Sequence, residues 1–328
     1  MASLSNIRSL PSESYSSAGL RLLNRKAITG VRSVSSITRR IFSEMTLRRK
    51  PIKAFVVLDE GYINQAVVSL SSFFRYNRIE LIIYAEKGTD LERVLAVVPE
   101  ELVEVRYVSF PQHELFATVG GNRLMVHRSA VPAIAQRIKA LEEVSAETDC
   151  VLNFDLDTLF LGSAVPLLEE ITAEQKSGIF GVSERENRDK WMKQMKLKEI
   201  VNTPLYFNTG LMCYKADCKG LYEKFIKTIE EKGDFMYCPE QDFVNLHFRK
   251  KHQLSGEFNA IWFNPGYKDM APLMVHYLSM EKPWNRFIYL DFRAYAYWQK
   301  YLSACERVES YLDREFLERV RSNVRRVK

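Results

Sequence analysis

The chain has 328 residues, 27% of them charged and 12% aromatic, with a formal net charge of +6. That length suits one large or two small domains with a buried core. The excess charge sits at the start: residues 1–50 carry ten Lys/Arg against Glu13 and Glu44, a net +8, and the rest balances at −2. A body so near neutral has no electrostatic footprint for nucleic acid, which excludes that partner class.

In chain order, residues 1–50 come first, rich in Ser and Arg with short apolar pieces. This composition suits an organelle transit peptide, a Ser-rich leader used by bacterial secretion systems, or a solvated tail. No stretch of the chain reaches the ~20 apolar residues that span a bilayer, so a transmembrane protein is not expected. The cysteines (Cys150, Cys213, Cys218, Cys238, Cys305) are odd in number, show no zinc spacing, and accompany no N-x-S/T acceptor. They read as small core residues in a reducing compartment: the cytoplasm, or an organelle reached through the leader.

From Pro51 the texture changes. "IKAFVVLD" predicts a buried strand, "YINQAVVSLSSFFRYN" a helix, "IELIIYAE" a second strand and "TDLERVLAVVP" a second helix opened by a Thr/Asp cap. "LVEVRYVSF" is a third strand; "AVPAIAQRIKALEEV" is a helix running into a fourth, "CVLNF". "SGIFGVS", "LYFNTGLMCYK" and "LMVHYL" supply further strands, "KGLYEKFIKTIEEKG" and "PEQDFVNLHFRKK" further helices. Alternation of this kind predicts an α/β fold with a mostly parallel central sheet and helices on both faces. The expected division is a leader over 1–50, one α/β domain over 51–301 and a basic amphipathic helix over 302–328. In that last helix Phe316, Leu317, Val320 and Val324 recur at helical spacing with Arg opposite. It either packs on the body or makes peripheral contact with an anionic membrane.

Chemistry concentrates first in "VLNFDLDTLFLGS". On a strand, Asp155 and Asp157 would share one face ~6.6 Å apart, at the strand's C-terminal end, where open α/β sheets bind ligands. At ~6 Å two carboxylates repel by about 3 kcal/mol in a partly buried site and below ~1 kcal/mol in water. The apolar neighbours Val151, Leu152, Phe154, Leu156, Leu159 and Phe160 imply burial, and a buried pair needs a cation. Such an ion commonly neutralises a phosphate or diphosphate. "FDLDTLF" is also similar to the first motif of the haloacid-dehalogenase phosphatases, but lacks the Gly that follows their second Asp and has three strand–helix units before it.

Taken in series, "FDLD", "YFNTGLMCY", "EQDFVNLHF" and "VHYLSMEKPW" resemble the family 8 glycosyltransferases, the glycogenin and lipooligosaccharide galactosyltransferase group. The resemblance covers about Ala54 to Trp298. It implies a GT-A fold, Mn²⁺, a UDP-sugar donor and transfer with retention of configuration. It also implies metal ligation by Asp155, Asp157 and His276, an O,O,N set that suits Mn²⁺ better than Mg²⁺. Donor contacts are implied for Asp59 and Tyr62 (uracil), Arg137 and Asn208 (phosphate or sugar) and Lys282 (diphosphate). Glu240 stands where the family usually has Asp beside the sugar, and Gln241 matches the residue nearest the reacting carbon. Gly61 replaces a common Asn and Ser279 a common Gly. An acidic sugar contact is expected at Glu184 or Asp189, within "SERENRDKWMKQMKLKEIVN", a candidate acceptor flap or a solvated helix. The acceptor, whether glycan, lipid or protein, is not legible. A sugar-nucleotide-binding protein without catalysis is the reading from another class.

Overall fold

A computed structural model describes residues 52–117, 119, 130–173, 176–184, 205–261, 270–278, 282–285 and 295–326. The leader, Asp189, Ser279 and most of the candidate flap lie outside them. The strands are β1 (Lys53–Leu58), β2 (Glu80–Glu86), β3 (Val103–Val108), β4 (Val151–Phe154), β5 (Thr158–Phe160), β6 (Gly178–Ser183), β7 (Phe207–Lys215), β8 (Lys251–Gln253) and β9 (Met274–His276). The helices are α1 (Ile63–Tyr76), α2 (Val131–Glu147), α3 (Val165–Ala173), α4 (Leu221–Lys232), α5 (Pro239–His247), α6 (Tyr295–Arg307) and α7 (Arg314–Arg326).

Seven strands form one sheet in the order β3-β2-β1-β4-β7-β6-β8, and β5 pairs with β9 in a second, two-stranded sheet. β1, β2, β3 and β4 run parallel, whereas β7 is antiparallel to both neighbours and β6 pairs β8 in parallel. The central strands are apolar on both faces because helices cover both. Along β1 the side chains alternate: Ala54, Val56 and Leu58 join a core with α1, α3, α6 and α7, while Phe55 joins one with α2, α4 and α5. The expected mostly parallel α/β sheet is thus the one observed. All five cysteines are free thiols, four of them buried.

Several expected elements come out differently. The helix expected over 89–99 is a single turn, Glu92–Leu95, with Asp90 Oδ1 accepting the Glu92 N–H at 3.0 Å. Pro99 disfavours helical geometry at Val98, which limits the helix from its far end. α5 stops at His247, and the next residues instead add β8 alongside β6. Lys251, read as helical, reaches Leu205 O (2.9 Å) and Asn245 O (2.7 Å) with its ammonium, a long-range anchor that overrides local spacing.

The boundary expected after residue 301 falls inside α6, whose Trp298, Tyr301 and Cys305 share one core with Phe316, Leu317, Val320 and Val324 of α7. The apolar face of the last helix is therefore packed on the body, the first of the two expectations for it, with its four apolar residues at 7% exposure or less. No described helix is long and apolar enough to cross a membrane.

Asn77, 1% exposed, ties the end of α1 to the chain that follows β5. Its amide nitrogen donates to Phe73 O (2.9 Å), and its Oδ1 accepts the Ala164 N–H (2.8 Å). Asn77→Ala leaves a buried N–H without a partner and should lower unfolding stability by about 2 kcal/mol, read as a lower urea midpoint at unchanged slope.

Candidate active site

β4 ends at Phe154, so Asp155 and Asp157 are not strand neighbours as expected; they sit on the bend between β4 and β5. The bend is held by Asp155 N–H donating to Gly210 O (2.9 Å) and Thr158 Oγ1 donating to Asp155 O (2.6 Å). A bend, not strand alternation, makes the two carboxylates converge. The antiparallel β5–β9 register then sets Thr158 opposite His276, and Tyr277 N–H donates to Asp157 O at 2.9 Å. An imidazole 119 positions away is thereby delivered to the acids: His276 Nε2 lies 3.4 Å from Asp155 Oδ2 and 3.2 Å from Asp157 Oδ1.

The tautomer follows from the second nitrogen. His276 Nδ1 is 3.0 Å from Asn208 Oδ1, an oxygen that also accepts Gly210 N–H (2.8 Å) and Asn259 Nδ2 (2.9 Å). An amide oxygen can only accept, so a neutral imidazole carries its proton on Nδ1 and turns the Nε2 lone pair toward the carboxylates. His276 Nε2 and Asp157 Oδ1 are both buried without a hydrogen-bond partner. Two buried acceptors at that separation are costly unless a cation lies between them. Asp155, Asp157 and His276 offer one ligand atom each, all within 4.8 Å of one another, so the donor set fits a divalent ion.

Two permanent cations flank the trio. Lys282 Nζ donates to Asp157 Oδ2 at 2.6 Å. Burial works against ionising Asp157, yet the groups beside it, Lys282 foremost and then His276, together outweigh burial and hold the carboxyl well below the usual range. Arg137 pairs with Asp155 on one side and with Glu240 (3.0 Å) on the other, and donates to Asn153 Oδ1 (2.6 Å) and Thr209 O (2.7 Å). Its guanidinium is thus held between the two acids and two protein oxygens. Burial pushes Glu240 up to about 7 against the pull of Arg137, with Asp155 adding to the rise.

The first turn of α5 brings Glu240 and Gln241 in from the other side, opened by Pro239, whose missing N–H costs nothing there. Gln241 Oε1 accepts from Asn208 Nδ2 and Thr209 N–H, both at 3.2 Å. Asp242 turns away: Tyr206 OH (2.5 Å), Tyr237 N–H (2.6 Å) and Cys238 N–H (3.0 Å) all donate to its carboxylate. It pins the helix start and does not face the site.

Asn208 links these groups, since its Nδ2 also donates to Glu184 Oε1 at 2.5 Å. Of the two acids left open by the sequence, Glu184 lies in the cluster, 5% exposed, carried there when Glu184 N–H donates to Tyr206 O (3.1 Å) and extends the β6–β7 ladder, and Asp189 lies outside the described residues. Burial raises its carboxyl, opposed by the Asn208 amide.

Tyr62 is 38% exposed, with Lys282 Nζ 5.9 Å from its ring centroid. Asp59 heads the same turn, its carbonyl accepting Tyr62 N–H at 3.1 Å. Sequence reasoning missed Asn259, Thr209 and Gly210. Asn259 carries no motif signal at all. Gly210 could have been suspected from "FNTG": a Cβ there would fall 2.0 Å from His276 Nδ1, so only glycine lets the ring approach β7.

Residues 53–287 match the family model described as "Glycosyl transferase family 8". Among solved structures, the galactosyltransferase LgtC in complex with donor and acceptor sugar analogs superposes with a TM-score of 0.58 at 18% identity, covering 82% of this chain and 99% of that one. An active-site mutant of LgtC gives 0.58 and 18%, over 78% and 95%. The glycosyltransferase GlyE of Streptococcus pneumoniae TIGR4 gives 0.50 and 17%, over 83% and 64%. No curated protein matches. Identities this low show a shared fold, and the match across most of the chain shows the family. The chain belongs to glycosyl transferase family 8 and is a glycosyltransferase with a GT-A fold.

Proposed function

We propose that this enzyme moves a hexose from a UDP-sugar to a hydroxyl of a glycan, lipid or protein acceptor, retaining the anomeric configuration, with Mn²⁺ held by Asp155, Asp157 and His276. One observation carries the reading: two buried acceptor atoms, Asp157 Oδ1 and His276 Nε2, face each other at 3.2 Å with no hydrogen-bond partner. Their O,O,N set favours Mn²⁺ over Mg²⁺. Bound there, the ion would supply positive charge against a leaving diphosphate.

The remaining chemistry falls to the chain. Lys282, half-buried beside Asp157, presents a second positive charge on the same side, where negative charge develops as UDP departs. Tyr62 offers a partly exposed ring for a base to stack on. Gln241 has its amide oxygen fixed by Asn208 and Thr209, which orients it to stabilise an oxocarbenium-like centre. An amide is a poor nucleophile, which favours attack from the face that UDP leaves. The acceptor oxygen bonds to the anomeric carbon, the bond to UDP breaks with its electrons on the phosphate, and that phosphate oxygen takes the acceptor's proton. The family assignment replaces the phosphatase reading of the acid pair and the reading without catalysis.

Purified enzyme given UDP-sugars and Mn²⁺ should release UDP, and Asp157→Ala should lower that release by about 10²-fold or more. Phosphomonoester hydrolysis, or tight binding without turnover, would overturn the proposal. Gly210→Ala should drive the His276 ring out and weaken Mn²⁺ binding about 10- to 100-fold by calorimetry, with an unchanged circular dichroism spectrum. Mass spectrometry under turnover should find no glycosyl adduct on Glu240; finding one would sink same-face attack.

A further inference from the structure

We infer that Asn323, on the last helix, is a positioning residue for Lys282, and that α7 is therefore part of the apparatus that grips the donor diphosphate. This rests on the donor reading of Lys282 given above. Lys282 opens a tight turn, Lys282–Asn285, closed by Asn285 N–H donating to Lys282 O at 3.0 Å. Two other carbonyls of that turn, Pro283 O and Asn285 O, both accept from Asn323 Nδ2, at 2.8 and 2.9 Å. Asn323 is 3% exposed, an uncommon setting for Asn, and its NH₂ has two hydrogens for two acceptors.

A second hold comes from the same helix. Trp284, inside the turn, packs against Tyr301 (4.9 Å between centroids), Tyr277 (6.0 Å) and Phe316 (6.2 Å). Phe316 and Asn323 are seven positions apart, two helical turns, and so lie on one face of α7. One clamps the turn through an aromatic ring, the other through its backbone. The helix is itself tethered at its start: Asp313 accepts from Asn64 Nδ2 (2.7 Å) and Arg93 Nη1 (2.8 Å), and Asp313 N–H donates to Asn64 Oδ1 (2.9 Å). Asn64 is two residues beyond Tyr62. The helix thus joins the turn bearing Lys282 to the segment bearing the candidate base-stacking ring.

The lysine needs this support. Its Nζ must stay 2.6 Å from Asp157 while remaining open to a phosphate, and a long flexible side chain on an unbraced turn would sample other positions. Among the described residues Asn323 makes its hydrogen bonds to the turn and none to Asp155 or Asp157.

The test is calorimetric titration of UDP, and separately of uridine, into the full chain with Mn²⁺ for wild type, Asn323→Ala, Lys282→Ala and the double variant. Asn323→Ala should weaken UDP binding about tenfold and leave uridine binding unchanged, because the lysine meets phosphate and not base. In the Lys282→Ala background it should cause no further loss. Asn323→Ser keeps one donor and should fall between, and it stands in if the alanine variant does not fold. Normal UDP binding by Asn323→Ala alongside a weakened Lys282→Ala overturns the inference alone, as do losses that multiply in the double variant or an equal loss for uridine. Normal UDP binding by Lys282→Ala overturns the donor reading and this inference with it.

Discussion

The active site turns on one uncomfortable meeting, a lone pair of His276 aimed at two carboxylates. Asn208 enforces the geometry by accepting the imidazole proton, and the β5–β9 register brings the ring within reach. Gly210 keeps the neighbouring strand free of a side chain that would push the ring away. Three acceptors held this close, two of their atoms buried without partners, fit a cation that arrives from outside the chain.

The charges around that trio divide the work. Arg137 draws Asp155 and Glu240 toward itself, and Lys282 draws Asp157, so each acid of the pair has its own cation on the flank away from His276. Neither cation reaches the shared centre, which stays electronegative. Glu240, where the resemblance led to an expectation of the shorter Asp, meets Arg137 at 3.0 Å. That departure from the family pattern therefore has a structural partner. Asp242, two residues on, serves the scaffold instead. Three donors saturate its carboxylate and fix the helix start that presents Glu240 and Gln241.

Stability and function share the C-terminal helices. Phe316, Leu317, Val320 and Val324 complete the same core that supports β1 and α1. The residue among them that faces the Lys282–Asn285 turn, Asn323, is polar because the groups it meets are carbonyls. A helix with this much Arg on its outer side and so complete an apolar inner face looks in sequence like a membrane-surface element. Its apolar residues are instead covered by Trp284, Tyr301 and their neighbours.

The strands and most helices were legible because hydrophobic period and turn residues are local signals, and the acid pair was legible because two close carboxylates in an apolar run demand an explanation. The resemblance to family 8 added the third candidate ligand, His276, which spacing alone could not join to residues 119 positions earlier. What the sequence by itself determined was therefore the alternating architecture and the inventory of charged and polar groups. Tertiary structure decided how those groups divide: that Asp155 and Asp157 meet on a bend, that Arg137 is occupied by acids, that Glu184 enters the cluster and that Asn259 and Asn323 matter at all. The physical reason is range. Periodicity is written within a few residues, whereas a hydrogen bond such as Asn323 to Pro283, 40 positions apart, exists only once the chain has closed on itself.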